Sequence, residues 1–216
     1  MTTPSENFIA VRYYPGTGGR FLAAWLVAAK LNVPTDLTNC DNADASVGLQ
    51  DVEQEIPHQF DNKFHEEHLS RLLSDYPLRP SPYFILDHSQ NTDFTLKYVA
   101  KAININYDIA QAETIANIYI NNIFKSWLST TTFNGDQTII DSNREKVLIG
   151  AERCWYKFRP KDDSDKLCNI HFNLLLNGDT DELIAKLSAF TRISPANFDK
   201  EQLSQWRTRI LTLSTN

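Results

Sequence analysis

The sequence predicts a three-layer α/β fold, in which a mainly parallel sheet is covered by helices on both faces. Short runs rich in β-branched and aromatic residues alternate along the chain with longer runs of helical periodicity. Parallel strands are joined by helical crossovers, so this alternation favours a parallel sheet. The chain has 216 residues, of which 42% are hydrophobic, enough for one core without disulfides or metals. We therefore expect a single domain over residues 1–216.

Strands are predicted from apolar and β-branched runs. The first such run precedes a glycine-rich turn, and the second is a short central strand that ends at Asp87 and His88. In chain order, the predicted strands are residues 8–14, 83–86, 103–107 and 169–176. The mixed aromatic and basic residues before Lys161 indicate a further, amphipathic strand at the surface, with lysine stems covering apolar area.

Helices are predicted where apolar residues recur every three or four positions. The clearest stripe, residues 109–127, should be core, and a polar loop should follow it at residues 129–143. Asp179 or Thr180 can cap a later helix, because a side-chain oxygen accepts from free amides at a helix start. The other predicted helices are residues 20–31, 60–73 and 92–101, and a last helix from about residue 199 that stacks Leu203, Trp206 and Ile210.

Composition restricts the location and the partners of the chain. The net charge of -6 gives no broad basic surface, which disfavours general nucleic-acid binding but permits a local cationic pocket. Cys40, Cys154 and Cys168 form neither a disulfide framework nor a zinc knuckle and fit a reducing compartment. No apolar stretch is long enough to span a membrane, and the first residues do not resemble a signal peptide. We expect a soluble, cytoplasmic protein.

The loop between the first strand and the first helix carries the main functional signal. Its residues are Tyr14-Pro15-Gly16-Thr17-Gly18-Gly19-Arg20. A strand that turns through glycines into a helix points backbone amides and the positive helix end at one place, where an anion can bind. An ordinary glycine-rich turn without a ligand is the alternative. A Walker loop would continue with Lys and then Ser or Thr, and both are missing here, which argues against magnesium-dependent phosphoryl transfer.

The loop resembles that of the sulfotransferase family, which commonly reads Tyr-Pro-Lys-Ser-Gly-Thr-Thr-Trp-Leu where this chain has residues 14–22. The resemblance implies a P-loop-like fold, a 3′-phosphoadenosine-5′-phosphosulfate donor bound by the loop, and a histidine base at the end of a later strand. It assigns donor binding to Pro15, Gly16, Thr17, Gly18, Gly19, Arg20 and Phe21, and catalysis to His88 and Arg20. The order of elements is also similar through residues 172–193. The acceptor would be a hydroxyl group of a small molecule or glycan.

The sequence also departs from the sulfotransferase pattern. Gly16 stands where the family places a lysine, and the third strand runs into Tyr107 and Asp108 rather than the arginine that holds the 3′-phosphate. We find neither the accompanying serine nor the late Arg-Lys-Gly loop. Arg20 either replaces the missing cation or forms a surface ion pair. His88 is either the base or a neutral structural group.

Three functional hypotheses follow. The chain is a sulfotransferase-like enzyme, or a catalytically degenerate relative that serves as a binding or structural module, for example in an assembly or virion, or a nucleotide or nucleoside kinase with an unusual loop. No metal site is expected: His58, His65 and His68 lack the spacing that brings two imidazoles to one helix face. The sequence does not predict an oligomeric state.

Overall fold

The computed structural model describes residues 5–32, 59–60, 83–87, 96, 99–124, 137–159 and 162–214. Within these residues, one five-stranded, all-parallel sheet has the order β2-β3-β1-β4-β5. The strands are β1 (Ser5–Arg12), β2 (Gln59–Phe60), β3 (Tyr83–Asp87), β4 (Val99–Asn106) and β5 (Leu167–His171). The α/β class and the parallel sheet are therefore confirmed.

The first strand is the centre of the sheet. β1 pairs with β3 on one side and with β4 on the other, so Arg12 lies level with both Asp87 and Asn104. Asn104 is in turn level with Asn169 of β5. The chain leaves β1 toward β2 at one edge of the sheet and leaves β4 toward β5 at the other edge. In parallel α/β sheets, crossovers that leave neighbouring strands in opposite directions pass over opposite faces, and ligands commonly bind outside the carboxyl ends of those two strands.

Among the described residues, one α-helix follows β1, two lie between β4 and β5, and three follow β5. The α-helices are α1 (Gly19–Leu31), α2 (Ala112–Ile118), α3 (Gln137–Cys154), α4 (Phe172–Asn177), α5 (Thr180–Thr191) and α6 (Lys200–Ser214). Short 3-10 segments occupy Ile109–Gln111, Trp155–Phe158 and Pro195–Asn197, and a π-helical segment, Tyr119–Phe124, continues α2. The periodic residues of α6, Leu203, Trp206 and Ile210, are buried, as the sequence predicts.

The two faces of the sheet differ in chemistry. Alternate strand residues join the helices in one large apolar core; they are Ile9, Val11, Ile103, Ile105, Cys168 and Ile170. The intervening residues of the other face include Arg12, Asn104 and Asn169, which are buried polar groups. Phe158, in the 3-10 segment after α3, lies against that polar face, with its ring 5.6 Å from the guanidinium carbon of Arg12. One face of the sheet is thus a conventional core and the other contains a polar layer.

Several predicted boundaries are wrong. The polar loop predicted at residues 129–143 is already helix α3 from Gln137, and the predicted surface strand is the end of α3 followed by Trp155–Phe158. The strand predicted at residues 169–176 ends at His171, where α4 begins. β4 begins at Val99, so a helix cannot reach Lys101. Ile109 is 51% exposed rather than core, because the helical stripe starts only after the 3-10 turn.

Candidate functional site

The first half of the glycine-rich loop is a closed β-turn. The carbonyl oxygen of Tyr14 accepts from the amide of Thr17 at 3.1 Å and from the hydroxyl of Thr17 at 2.7 Å. Pro15 and Gly16 are the central residues, and Gly16 has φ +93°. Proline followed by a residue with positive φ is the pattern of a type II turn. Thr17 is fully buried and hydrogen-bonded to Tyr14, so this half of the loop holds its conformation without a bound anion.

The glycines are also required by close neighbours. A Cβ at Gly16 would lie 2.5 Å from the carbonyl oxygen of Ile115 in α2, and one at Gly18 would lie 2.6 Å from the ring of Trp206 in α6. A Cβ at Gly19 would lie 2.0 Å from the ring of Tyr13. Two helices and a tyrosine therefore pack directly on the loop backbone. In particular, Ile115 occupies the space that a lysine at position 16 would need.

The second half of the loop is the start of α1, and its amides have no conventional cap. Gly18, the N-cap residue, has φ 80°, and among the described residues no side chain accepts from the first amides of α1. The first turn of α1 contains no acidic residue, whereas α5 begins with a capping Asp179 that accepts from Glu182. The first amides of a helix lack acceptors in the preceding turn and carry the positive end of its dipole. The unsatisfied hydrogen-bond donors of the loop are therefore the backbone amides of residues 19–21.

The side chains of the first turn differ in what they offer a ligand. Arg20 is half-buried and forms no hydrogen bond or ion pair with any described residue. The surface ion pair considered from the sequence is therefore not found in this part of the chain. Phe21 is fully buried, with its ring stacked 4.4 Å from the ring of Trp206, so only its backbone amide faces the loop. Arg20 is thus the cation that the first turn contributes.

A buried polar chain begins at Arg12, two residues before the loop. Arg12, at the end of β1, is 0% exposed, and its Nη1 donates to Oδ1 of Asn104 at 3.0 Å. Asn104 Nδ2 donates to the carbonyl of Phe158 and to Oδ1 of Asn169, both at 3.1 Å. Buried polar groups are costly unless they are hydrogen-bonded, and here each amide group of Asn104 has a partner. Sequence patterns do not single out these residues; the one local signal is an arginine at the end of an apolar strand.

This polar chain reaches the surface beyond β5. Asp163 Oδ1 accepts from the backbone amide of Asn169 at 2.7 Å and from its side chain at 2.8 Å. Its other oxygen, Oδ2, lies 2.8 Å from Nζ of Lys186 in α5. Desolvation opposes ionisation of Asp163, but these bonds and the lysine charge outweigh it and lower the pKa of the carboxyl group. A continuous set of polar contacts therefore links β1, β4, β5 and α5.

Aromatic side chains pack beside the loop. The rings of Tyr14 and Tyr107 have centroids 5.9 Å apart, and both pack against Phe158. Their hydroxyls donate to backbone carbonyls of α3, Tyr14 to Val147 at 3.1 Å and Tyr107 to Ala151 at 2.9 Å. Burial raises the pKa of both tyrosines well above the ordinary value, with smaller contributions from neighbouring groups. These two tyrosines are structural anchors between the sheet edge and α3.

The carboxyl ends of β4 and β5 carry acidic and amide groups rather than cations. Asp108 Oδ2 lies 3.3 Å from Nε2 of His171, whose Nδ1 accepts from the amide of Asn173. Gln111 donates to Asn173 and accepts from the amide of Asp108. The Asp108 carboxylate at this edge would repel a phosphate.

The predicted site residues form two groups, and the structure describes only the first of them. The structure brings residues 15–21 together at the carboxyl end of β1, which lies between β3 and β4 in the sheet. His88 lies outside the described residues; it is the next residue after Asp87, with which β3 ends. The histidines considered for a metal also lie outside them. In the part of the chain that the structure describes, no cluster of three potential metal ligands occurs, and Cys154 and Cys168 are buried.

No known family profile, curated protein or solved structure matched the chain. Among the described helices, none combines the length and the apolar character that crossing a bilayer demands.

Proposed function

We propose that the chain is a sulfotransferase-like protein that binds the phosphosulfate group of 3′-phosphoadenosine-5′-phosphosulfate at the N-terminus of α1. The main support is the position of the loop: it follows the central strand β1, and the chain leaves β1 and its neighbour β4 in opposite directions along the sheet. Ligands of open α/β sheets bind at such points. The uncapped amides of Gly19, Arg20 and Phe21 are the donors for the anion, and the Arg20 guanidinium supplies the charge.

The residues fit one half of this donor better than the other. The first turn of α1 suits the 5′-phosphosulfate, because backbone amides and a cation stabilise a multiply charged anion. No described residue at the end of β4 suits the 3′-phosphate, since Asp108 is acidic and pairs with His171. We therefore expect the 3′-phosphate to contribute little to affinity.

The transfer step needs a base for the acceptor, and His88 is the candidate. β3 ends at Asp87, level with Arg12 and hence at the edge where the loop begins. In the proposed reaction His88 takes the hydroxyl proton as the acceptor oxygen bonds to sulfur. The bond from sulfur to the bridging oxygen breaks, and its electron pair leaves with the 5′-phosphate. In this reaction the acceptor is a hydroxyl group of a small molecule or glycan.

Calorimetry with 3′-phosphoadenosine-5′-phosphate and with adenosine 5′-phosphate tests donor binding, because the two differ only in the 3′-phosphate. We expect both to bind without magnesium, with dissociation constants within about threefold, since an exposed phosphate without a cation adds under 1 kcal/mol. Arg20→Ala should weaken both by about tenfold, because a charge-assisted contact is lost. Arg153→Ala, at the exposed end of α3, is the matched control. Absence of binding to the wild-type chain would contradict the proposal.

The role of His88 is tested separately. His88→Ala should abolish transfer of labelled sulfate to a hydroxyl acceptor while binding of 3′-phosphoadenosine-5′-phosphate is kept. Full transfer activity in this variant would show that another group is the base.

A second candidate is a binding or structural module of the same fold without transferase activity. It is favoured by one observation: Gly16, Gly18 and Gly19 all meet close neighbours that explain them without a ligand. In that case the calorimetry gives no nucleotide binding at all, and Arg20→Ala changes nothing.

A further inference from the structure

A concave site lies at the amino edge of the sheet, at the opposite end from the loop. A cavity of about 730 Å³ is formed by Ile9 of β1, the start of β4, the two residues before β5, and the ends of α1 and α5. Ile9 and Ile193 contribute apolar surface. An adjoining cavity of about 510 Å³ shares Lys101, Asp165, Phe190 and Arg192 with it. These volumes lie in the range of small-molecule sites, about 300–1,000 Å³.

Cations from separate elements converge on this cavity, although the chain as a whole has a net charge of -6. Its charged lining residues are Lys30, Lys101, Lys166, Arg192 and Asp165. Lysines near helix C-termini often serve only to neutralise the terminal carbonyls. Lys101 does so, because its Nζ donates to the carbonyl of Phe190 at 3.1 Å, in the last turn of α5. Such neutralisation does not account for all of the positive charge.

The balance of charge indicates what the cavity accepts. The ends of α1 and α5, together with Asp165, oppose part of the positive lining. Lys166 and Arg192 form no ion pair with any residue that the structure describes, and they are the cations that the described lining offers a ligand. Two cations match a dianion.

The backbone of Arg192 adds a second, independent observation. Arg192 follows the last residue of α5 with φ 62°, in the left-handed region, where glycine is the usual residue. An arginine in this conformation costs free energy that a glycine would not. The strained residue is part of the cavity lining. Strain of this kind concentrates where a side chain has a function.

We propose that the amino-edge cavity, defined by Lys30, Lys101, Lys166, Arg192 and Phe190, binds a small dianion, either a phosphate or a dicarboxylate. Lys166 and Arg192 pair with the anionic groups, and the apolar wall formed by Ile9 and Ile193 covers the carbon part of an organic ligand. This site is separate from the loop at the carboxyl edge and does not depend on the function proposed for that loop.

Amide NMR titration tests the site with residue-level resolution. The probes are inorganic phosphate and succinate, each compared with sodium chloride at the same ionic strength. We expect one or both dianions to cause saturable chemical-shift changes in the amides of residues 100–101, 165–166 and 190–194. Comparing phosphate with succinate shows whether the site prefers a phosphate or a dicarboxylate. Shifts that sodium chloride reproduces would overturn the proposal. The amides of residues 18–21 report separately on the loop.

Variants connect the shifts to the named side chains. Lys166→Ala and Arg192→Gly should each weaken binding about fivefold, as loss of one exposed ion pair does. Arg192→Gly should fold at least as well as wild type, because glycine suits the left-handed conformation, and Arg192→Lys should retain most of the affinity. Lys146→Ala on α3 is the control and should bind normally. Unchanged affinity in the Lys166→Ala/Arg192→Gly double variant would show that the cavity is not the site.

Discussion

At the scale of single residues, the loop glycines have two separate reasons to be glycine. Gly16 and Gly18 adopt positive φ, which glycine tolerates best. Gly19 does not, and its constraint is the ring of Tyr13, only 2.0 Å from the position of a Cβ. The sequence identifies where the glycines are, but an anion cradle and a tightly packed turn need the same residues. Only their neighbours distinguish the two.

Gly19→Ala isolates the packing constraint. The added methyl group must displace the buried Tyr13 ring, so we expect the free energy of unfolding to fall by about 2 kcal/mol. Urea denaturation followed by fluorescence measures this change.

Gly150→Ala is the matched comparison, because Gly150 lies within α3 and its Cβ would meet only the terminal hydroxyl of Tyr14. Gain of helix propensity, about 1 kcal/mol, offsets the disturbed hydrogen bond, so the net change should be small. Equal losses in the two variants would contradict the proposed role of Tyr13.

At the scale of elements, the start of α5 followed the sequence closely. Asp179 caps α5 as predicted, with Oδ1 accepting from the amide of Glu182 at 2.8 Å. Asp179→Ala should therefore lower the free energy of unfolding by about 1 kcal/mol in chemical denaturation. Asp181→Ala, two residues further along the chain, removes an exposed carboxylate paired with Lys200. This change should lower the free energy of unfolding by under about 0.5 kcal/mol. A larger loss for Asp181 would contradict the capping role.

Elements without a strong local signal were mispredicted. α3 has few buried residues, among them Ile140, Ala151 and Cys154, and a mostly polar sequence that resembles a loop. It is held by tertiary contacts, including the hydroxyls of Tyr14 and Tyr107 that donate to its carbonyls. At residues 169–176, one apolar run is shared by a strand and a helix, and apolar runs alone do not locate the change.

At the scale of the whole molecule, the buried acids predict alkaline instability. Burial raises the pKa of the Cys168 thiol from 9.0 to about 12, and the Lys186 charge only partly opposes this. Above pH 9.0 the Cys168 thiol of the unfolded chain loses its proton while the same thiol of the folded chain keeps it, so the free energy of unfolding falls as pH rises. Below pH 9.0 both forms are protonated and the stability is fully present.

We expect the free energy of unfolding to decrease from pH 9 to pH 12, with Cys168 contributing a slope of about 1.4 kcal/mol per pH unit at most. Tyr14 and Tyr107, whose pKa values are also raised, should steepen the decline. Cys168→Ala should reduce the slope in this interval and leave the pH dependence between pH 6 and pH 8 unchanged. An unaltered slope in the variant, measured by urea denaturation at each pH, would refute the assignment.

The sequence alone determined the α/β class, the parallel sheet, the boundaries of α1 and β3, and the location of the glycine loop. These features follow from periodicity and from local backbone chemistry, which a short stretch of chain contains in full. Only the tertiary structure decided the sheet order, the coverage of the loop by Ile115, Trp206 and Tyr13, and the polar chain from Arg12 to Lys186. Each of these depends on residues far apart in the chain, whose proximity arises from packing and leaves no mark on any local pattern.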